Sequence, residues 1–387
     1  MNYFTGLVIL KKKSWSVIIM LKRFSVENFK GFKDKITFDI GSPSNYGFHS
    51  EIIEGGCITK GIIYGINGSG KSNLGLAIFD VILHLTEKQK LLQSYDFYLN
   101  MSGRKSFAEF EYTFIFDGHE LVYRYSKTNV DAFREESLSI DGEEVIYYDF
   151  QAKDGFTSLE GSDTLNVSIK NESPISRVKY VNSNSILVDN VQNQVFKKFI
   201  DFVDRMLLFY SLDSRGYEGF MNGSEGIAEG IVNAGKVQDF QEFLEENDID
   251  YSLYECEVDG RKAIYCHFDN KDADFFKIAS TGTRSLALFY YWYIRMKKAS
   301  FVFIDEFDAF YHFELSEAVQ KRVNEISGVQ VFTTTHNTDL MNNDLLRPDC
   351  YFLLKGNKIK ALSELTAKEL RQAHNLQKMY KAGAFNG

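Results

Sequence analysis

Gly65-Ile-Asn-Gly-Ser-Gly-Lys71-Ser72 is the stretch that decides the fold of this 387-residue chain. Before it, the Ile-rich run from Cys57 to Tyr64 predicts a strand. After it, apolar residues at helical spacing predict a helix from Ser72 to Thr86: Leu74, Ala77, Ile78, Val81 and Leu85. The glycines let the backbone curl so that its N–H groups converge, and the helix dipole adds positive potential there. A strand, a Gly-rich loop and a helix in this order predict a phosphate-binding corner.

The spacing Gly-x-x-x-x-Gly-Lys-Ser matches the P-loop pattern in full. Lys71 would neutralise the β- and γ-phosphates of a nucleoside triphosphate, and the Ser72 hydroxyl would ligate Mg²⁺. The predicted nucleotide-binding residues are Gly65, Asn67, Gly68, Ser69, Gly70, Lys71, Ser72 and Asn73. The alternative is a chance Gly-rich turn before a helix, but the flanking strand and amphipathic helix favour a site for ATP and Mg²⁺.

A second apolar strand, Phe301-Val-Phe-Ile-Asp305-Glu306, ends in two carboxylates. The carboxyl ends of parallel strands in this type of sheet lie beside the phosphate-binding loop. We therefore expect Asp305 to hold Mg²⁺ through water and Glu306 to act as the general base on the attacking water. Strands often end in acidic residues, so this pattern alone is weak. Together with the loop at Gly65–Ser72 it indicates a magnesium and hydrolysis site.

Two further segments are candidates for contact with phosphate. Ser280-Thr-Gly-Thr283 directly precedes a predicted helix, Arg284 to Lys298, so Ser280, the Gly282 backbone and the helix N-terminus can form an anion site. An ordinary Ser/Thr helix cap explains the same residues, but their place before Asp305 favours the anion site. His336 ends the next predicted strand, where it would reach the γ-phosphate. The alternative for His336 is a structural histidine.

The chain divides by pattern into four segments. Residues 1–19 are predicted to be an N-terminal extension, and residues 20–150 an ATPase lobe that carries the P-loop and antiparallel strands. Residues 151–270 read as a helical and β insertion with a partner or sensor surface, including a helix from Gln192 to Tyr210. Residues 271–387 form a second lobe, in which strands and helices alternate, as in a parallel sheet with covering helices.

The charge, apolar runs and cysteine spacing of the chain limit the partners that we expect. A formal net charge of -9 and a pI of about 5.4 give no long-range attraction to DNA or to an anionic membrane, so nucleic-acid binding stays uncertain. No apolar run is long enough to span a membrane. The four cysteines have no zinc spacing, and Cys256 is expected to face Ala263 rather than Cys266 across a hairpin. Reduced cysteines are typical of a cytoplasmic protein.

The order of these motifs resembles that of ATP-binding-cassette (ABC) ATPases. The opening Leu21-Lys-Arg-Phe-Ser-Val-Glu-Asn-Phe-Lys-Gly-Phe32 and Asn67 of the P-loop are similar to the SMC/RecF/OLD branch. Asp305-Glu-Phe-Asp-Ala-Phe-Tyr-His312 and Asn375-Leu-Gln-Lys-Met-Tyr-Lys-Ala-Gly-Ala-Phe385 look most like the small stand-alone ATPases of bacterial anti-phage and abortive-infection systems. Among these, the ATPase subunit of the PARIS system is the nearest resemblance.

The resemblance implies an α/β fold, an ABC-type P-loop ATPase head with a mixed sheet, an antiparallel β subdomain and a helical insertion. Ser280, Thr281, Gly282 and Thr283 would be the signature motif, which contacts ATP held by a second subunit, although they read Ser-Thr-Gly-Thr rather than Ser-Gly-Gly-Gln. His336 would be the switch histidine, and Asp308 would lie in the loop that crosses the dimer interface. Gln93 is the candidate for the glutamine loop.

The function that we expect is an ATP-hydrolysing switch. It would form a homodimer or higher oligomer through shared nucleotide sites and control a separate effector, such as a Toprim nuclease, in response to a phage-derived trigger. One alternative is an ATP-dependent scaffold with slow hydrolysis. Another is a DNA-repair head of the SMC/RecF type, which the acidic charge and the lack of coiled-coil arms disfavour.

Overall fold

The computed structural model describes residues 18–163, 165, 175–211, 216–222 and 225–385. The predicted extension 1–19 lies outside the described residues except for its last two positions. None of the helices in these ranges combines the length and the apolar character needed to cross a membrane.

The elements follow one another along the whole described chain. The strands are β1 (Ile19–Glu27), β2 (Ile36–Asp39), β3 (Ile53–Glu54), β4 (Cys57–Ile58), β5 (Lys60–Tyr64), β6 (Ala108–Phe116), β7 (His119–Asn129), β8 (Ala132–Ile140), β9 (Glu143–Asp149), β10 (Asp154–Thr157), β11 (Leu207–Tyr210), β12 (Tyr217–Gly219), β13 (Ser252–Val258), β14 (Arg261–Phe268), β15 (Lys271–Asp274), β16 (Phe301–Asp305), β17 (Gln330–Thr335), β18 (Tyr351–Lys355) and β19 (Lys358–Ala361). The helices are α1 (Lys71–Leu85), α2 (Arg177–Asn184), α3 (Val191–Asp204), α4 (Ile227–Asn233), α5 (Val237–Glu245), α6 (Phe275–Ile278), α7 (Thr281–Met296), α8 (Phe313–Asn324) and α9 (Leu376–Lys381).

The central sheet has the strand order β12-β11-β16-β17-β5-β18-β19. Its five inner strands are parallel, and the two edge strands are antiparallel to their neighbours. The inner strands are almost wholly buried, which is why they read as continuous apolar runs rather than as alternating ones. Their carboxyl ends meet at one edge of the sheet, directly before the loops at Gly65, Glu306 and His336.

A second sheet, in the order β10-β9-β8-β7-β6-β1-β2, is antiparallel throughout. Alternation along β6 puts Phe110, Tyr112 and Phe114 on the buried face. Helix α1 packs against this sheet, where the Tyr112 hydroxyl donates to Ala77 O at 3.0 Å. On its other side, α1 contacts β12 and β16 of the central sheet. The helix that follows the P-loop is therefore enclosed between two sheets, and the α/β fold with a mixed sheet and an antiparallel subdomain is confirmed.

The predicted helix from Gln192 to Tyr210 is wrong in its last part. Helix α3 ends at Asp204, and Leu207–Tyr210 forms β11, paired in parallel with β16. All four residues of β11 are buried, and a short continuous apolar run fits a buried strand as well as a helix. The predicted strand Cys57–Tyr64 is divided, because Thr59 separates β4 from β5.

Residues 151–270 contribute to more than one layer. They supply β11 and β12 to the central sheet, while β13 and β14 join β15 in a separate three-stranded sheet. In that sheet Cys256 lies opposite Ala263, as predicted, and all four cysteines are free thiols. The division of the chain into four segments stays a prediction.

Candidate functional site

The loop between β5 and α1 depends on glycine at three positions. Gly68 and Gly70 have φ angles of 78° and 102°, a region that residues with a side chain rarely adopt. A Cβ on Gly65 would lie 2.3 Å from Ser69 Oγ and 2.9 Å from Leu354 O. Gly70 also caps the N-terminus of α1. The backbone therefore curls tightly around the helix N-terminus, which is the cradle that phosphate oxygens need.

The neighbouring residues of the loop are placed by contacts on either side. Ile66, Asn67 and Gly68 are exposed, whereas the Asn73 side chain lies against Gly31, whose added Cβ would be 2.9 Å from Asn73 Nδ2. Gly70 packs in the same way on the ring of Phe32. The turn that follows β1 thus supports the loop from outside, which explains why the opening segment and the P-loop occur together.

Lys71 connects the P-loop to His336. It is only 6% exposed, and its ammonium group donates to Gly65 O at 2.9 Å and to His336 Nε2 at 2.8 Å. Burial lowers the pKa of Lys71, and the carboxylates of Asp305 and Glu306 oppose this effect. Desolvation and the Lys71 cation both lower the pKa of His336. The pair is therefore an ammonium donor and a neutral imidazole acceptor.

One hydroxyl of β17 holds both acidic residues at the end of β16. Thr334 Oγ1 donates to Asp305 Oδ1 at 2.7 Å and accepts from the backbone N–H of Glu306 at 2.8 Å. Asp305 is fully buried, whereas Glu306 lies at the surface of a depression that it shares with Asp308 and His336. The acid pair and the Lys71–His336 pair thus occupy the ends of adjacent parallel strands.

Asp308 lies in the loop after these carboxylates. Its side chain accepts a hydrogen bond from Thr335 Oγ1 at 2.7 Å, and burial raises its pKa. Further along the same loop, the Tyr311 hydroxyl donates to Ser285 O of α7 at 3.1 Å. The loop therefore links the end of β16 to the first turns of α7.

Ser280–Thr283 begins α7. Ser280 Oγ accepts from Thr283 N at 3.2 Å, so the side chain does cap the helix. Ser280 and Thr281 remain exposed, and Gly282 lies against Phe310 O. None of the hydrogen bonds found within the described ranges joins Ser280–Thr283 to the P-loop of the same chain. The structure thus brings together the P-loop, the acid pair and His336, but leaves this segment outside them.

Gln93 is the residue whose placement adds most to the sequence analysis. It lies in a short 3₁₀ turn, Leu92–Tyr95, and lines a cavity of about 630 Å³ together with Ser72, Lys90 and Tyr210. Sequence reasoning missed Lys90, Tyr210 and Thr334. The Thr-Thr-Thr run before His336 is the one signal that could have indicated Thr334.

The residues fit a nucleotide with its magnesium ion. The glycine cradle and Lys71 supply the positive surroundings that a polyphosphate needs, and Ser72 and Asp305 supply the oxygen ligands that Mg²⁺ prefers. In the part of the chain that is described, no three or more His, Cys, Asp or Glu side chains form a metal cage. A magnesium ion would therefore depend on phosphate and water for its other ligands.

Comparison with known proteins gives one family. The family described as "AAA domain, putative AbiEii toxin, Type IV TA system" matches residues 62–342, well over half of the chain. No curated protein matches the sequence.

Solved structures with a similar outline include the SMC head domain from Thermotoga maritima, at 15% identity and a TM-score of 0.44, with 88% of this chain and 97% of that chain covered. Another is the Smc head domain derived from Pyrococcus furiosus, with an extended coiled coil and bound to the C-terminal domain of ScpA, at 14% identity and a TM-score of 0.43, with 90% and 98% covered. The recombination mediator protein RecF bound to ATP gives 14% identity and a TM-score of 0.40, with 90% and 100% covered.

Proposed function

Because the chain belongs to this AAA domain family, we propose that it is an ATPase switch whose sites are completed by a second copy of the chain. The observation that carries the proposal is the convergence of Lys71, Asp305 and His336 at the carboxyl ends of three neighbouring parallel strands. In an α/β sheet, ligands bind at this edge. The finer resemblance to the ATPase subunit of the PARIS system stays a prediction.

The roles of the residues follow from their positions. The loop N–H groups and Lys71 bind the phosphates, while Ser72 and Asp305 hold Mg²⁺, the ion that would neutralise the charge developing on the phosphates. Glu306 accepts a proton from the attacking water, and His336 contacts the γ-phosphate once ATP takes over the hydrogen bonds of Lys71. Gln93 lines the cavity beside Ser72, so it would lie near the Mg²⁺ that Ser72 holds.

A second copy is needed to use the signature segment. Ser280 and Thr281 are exposed at the N-terminus of a helix of 16 residues, where the dipole favours an anion. Their neighbours Gly282 and Ser285 contact the loop after β16, at Phe310 O and the Tyr311 hydroxyl. We infer that they face ATP bound by the partner copy, and that Asp308 transmits the state of that site along its loop.

The output of the switch is proposed from the resemblance of residues 305–312 and 375–385 to defence ATPases. The family description names a toxin, which is consistent with a harmful output that must be restrained. The chain would act in the cytoplasm and release or activate a separate effector, such as a Toprim nuclease, when a phage-derived trigger is present.

ATP binding, hydrolysis and native mass, measured on the same preparation, test the proposal. Lys71→Ala should abolish ATP binding, whereas Lys35→Ala should not, because Lys35 is an exposed residue directly before β2. Glu306→Gln should bind ATP, hydrolyse it about a hundredfold more slowly, and accumulate as an ATP-dependent dimer or larger oligomer. Equal ATP affinity in wild type and Lys71→Ala would overturn the proposal. An ATP-dependent oligomer with negligible turnover in the wild type would favour the scaffold instead.

A further inference from the structure

A strap of chain, residues 86–95, runs from the end of α1 along the edge strand β12. Gly219 N donates to Gln89 O at 2.8 Å, and Gln89 N donates to Met221 O at 3.2 Å. The strap ends in the 3₁₀ turn that carries Gln93 into the cavity beside Ser72. The position of Gln93 therefore depends on what fixes this turn to β12 and to α1.

Two buried side chains make that connection. Tyr95, the last residue of the turn, is 3% exposed, and Glu218 of β12 is fully buried. Tyr95 Oη lies 3.1 Å from Leu76 O of α1 and 3.1 and 3.2 Å from the two carboxyl oxygens of Glu218. Leu76 is one helical turn beyond Ser72. A continuous chain of contacts thus runs from β12 through the turn to the helix that carries Ser72.

The number of protons available to Tyr95 and Glu218 indicates whether Glu218 is protonated. A tyrosine hydroxyl has one proton to donate, but a carboxylate and a carbonyl both only accept. If Glu218 is a carboxylic acid, it donates to Tyr95 Oη, and Tyr95 donates to Leu76 O, so every contact is satisfied. If Glu218 is ionised, the carboxylate competes for the Tyr95 proton and Leu76 O loses its bond, because charge-assisted hydrogen bonds are stronger.

The surroundings favour the acid. Within the described ranges, Tyr95 supplies the only side-chain hydrogen bond to Glu218. Burial, with a smaller contribution from the Asp80 carboxylate of α1, raises the pKa of Glu218 to about 8, although the hydrogen bond with Tyr95 and the charges of Lys90 of the strap and Lys127 of β7 oppose the rise. Lys127 is already paired with Asp80 at 2.7 Å.

We propose that Tyr95 and protonated Glu218 are positioning residues, which form a relay that fastens the Gln93 turn to α1 and holds Gln93 in the cavity beside Ser72. The relay rests on the proposed ATPase function. Through the relay, β12 and the segment 151–270 to which it belongs can change the rate of hydrolysis. A partner that moves β12 would also move Gln93.

Tyr95→Phe tests the relay against a matched control. The control is Tyr112→Phe, which removes another buried hydroxyl that donates to α1 carbonyls, at Ala77 and Ile78, but has no contact with the turn. Tyr95→Phe should lower kcat about tenfold and leave KM for ATP within about twofold, while Tyr112→Phe should leave both within about twofold. Equal kcat in the two variants would overturn the relay.

Glu218→Gln tests the protonation state. The carboxamide donates to Tyr95 as the acid does, but it does not titrate. We expect Glu218→Gln to keep the wild-type kcat near pH 7, and to remain flat between pH 7 and 9, where wild-type kcat falls as Glu218 ionises. A Glu218→Gln variant as slow as Tyr95→Phe at pH 7, or one with the wild-type decline, would overturn the relay.

A measurement without nucleotide separates this inference from the ATPase proposal. A raised carboxyl pKa stabilises the fold fully below the unfolded value of 4.5, and the contribution is lost as the pH rises through about 8. Wild type should therefore lose thermal stability relative to Glu218→Gln between pH 5 and pH 8.5. This shift would survive even if wild type failed to hydrolyse ATP. A difference in Tm that does not change with pH would overturn the protonated relay.

Discussion

Glu306 has a left-handed backbone conformation, with φ 51°, directly after the buried end of β16. Such a conformation is sparsely populated for residues with a side chain, and it persists where surrounding contacts fix it. Here the fixing group is the hydroxyl of Thr334, which holds the Glu306 N–H on one side and the Asp305 carboxylate on the other. One threonine on β17 therefore sets the geometry of both proposed acid roles.

Replacing that hydroxyl should impair turnover more than folding. We expect Thr334→Val to lower kcat about tenfold, because the Asp305 carboxylate and the Glu306 backbone lose their common anchor, with a loss of about 1–3 kcal/mol in stability. Thr333→Val is the matched control, since Thr333 is equally buried on the same strand but donates to Gln320. Steady-state ATPase assays give kcat for both variants, and denaturant unfolding gives their stability. Similar kcat values for the two would count against the anchor.

His336 should make turnover sensitive to acid. The pKa of its ring is lowered from 6.5 by desolvation and by the Lys71 ammonium, so the imidazole is neutral at neutral pH. Protonation would place two cations in contact and would cost stability as the pH falls below 6.5, because the unfolded chain takes up the proton first. We expect kcat/KM for ATP, which reports the free enzyme, to fall on acidification below pH 6.5 and the profile of His336→Gln to lack that step. If His336→Gln still lost activity at acidic pH as the wild type does, another group would be responsible for that loss.

At the scale of elements, α1 is joined to the antiparallel sheet by a fully buried ion pair. Asp80 and Lys127 are both 0% exposed and lie 2.7 Å apart, and Asp80 also accepts from the hydroxyls of Tyr98 and Tyr125. Removing one member leaves a buried charge unpaired, so Lys127→Met should cost about 3–5 kcal/mol of unfolding free energy.

Lys88→Met is the control for that prediction. Lys88 pairs with Asp204 at a partly exposed position near the end of α1, where loss of an ion pair costs at most about 1 kcal/mol. Urea or guanidinium unfolding, followed by circular dichroism, gives both values. A Lys127→Met variant no less stable than Lys88→Met would mean that solvent or neighbouring groups compensate Asp80.

The elements that the sequence predicted best are those whose pattern is local. Helix α1 was predicted within one residue at each end, and β16 follows from the continuous apolar run Phe301–Ile304. β11 could not be separated from α3 because Leu207 continues the helical spacing of α3, and a strand at Leu207–Tyr210 is evident only from its pairing with β16. The contacts of Gln93 and Thr334 were out of reach for the same reason, since they join residues that are distant in sequence.

At the scale of the whole molecule, the proposed nucleotide site of one chain does not include the proposed signature segment, Ser280–Thr283. The P-loop, Asp305 and His336 lie together, while Ser280 and Thr281 are exposed to solvent and have no hydrogen bond to the P-loop within the described residues. An isologous dimer would use both surfaces twice, because each copy offers its P-loop to the other's signature segment. A shared site has a consequence that a self-contained site lacks: two different inactive variants can restore each other.

Lys71→Ala and Thr281→Glu are suited to that experiment. Thr281→Glu puts a negative charge at the exposed N-terminus of α7, which favours the helix but repels a phosphate presented by a partner. Each variant alone should be inactive, the first because it cannot bind ATP and the second because it cannot complete the partner's site. In an equal mixture, random pairing makes about half of the dimers mixed, each with one intact site, so turnover should recover to about a quarter of the wild-type rate.

Native mass spectrometry would establish that the mixed dimer forms. Mixed dimers without recovered turnover would contradict a shared site, and full activity of Thr281→Glu alone would remove α7 from the chemistry altogether.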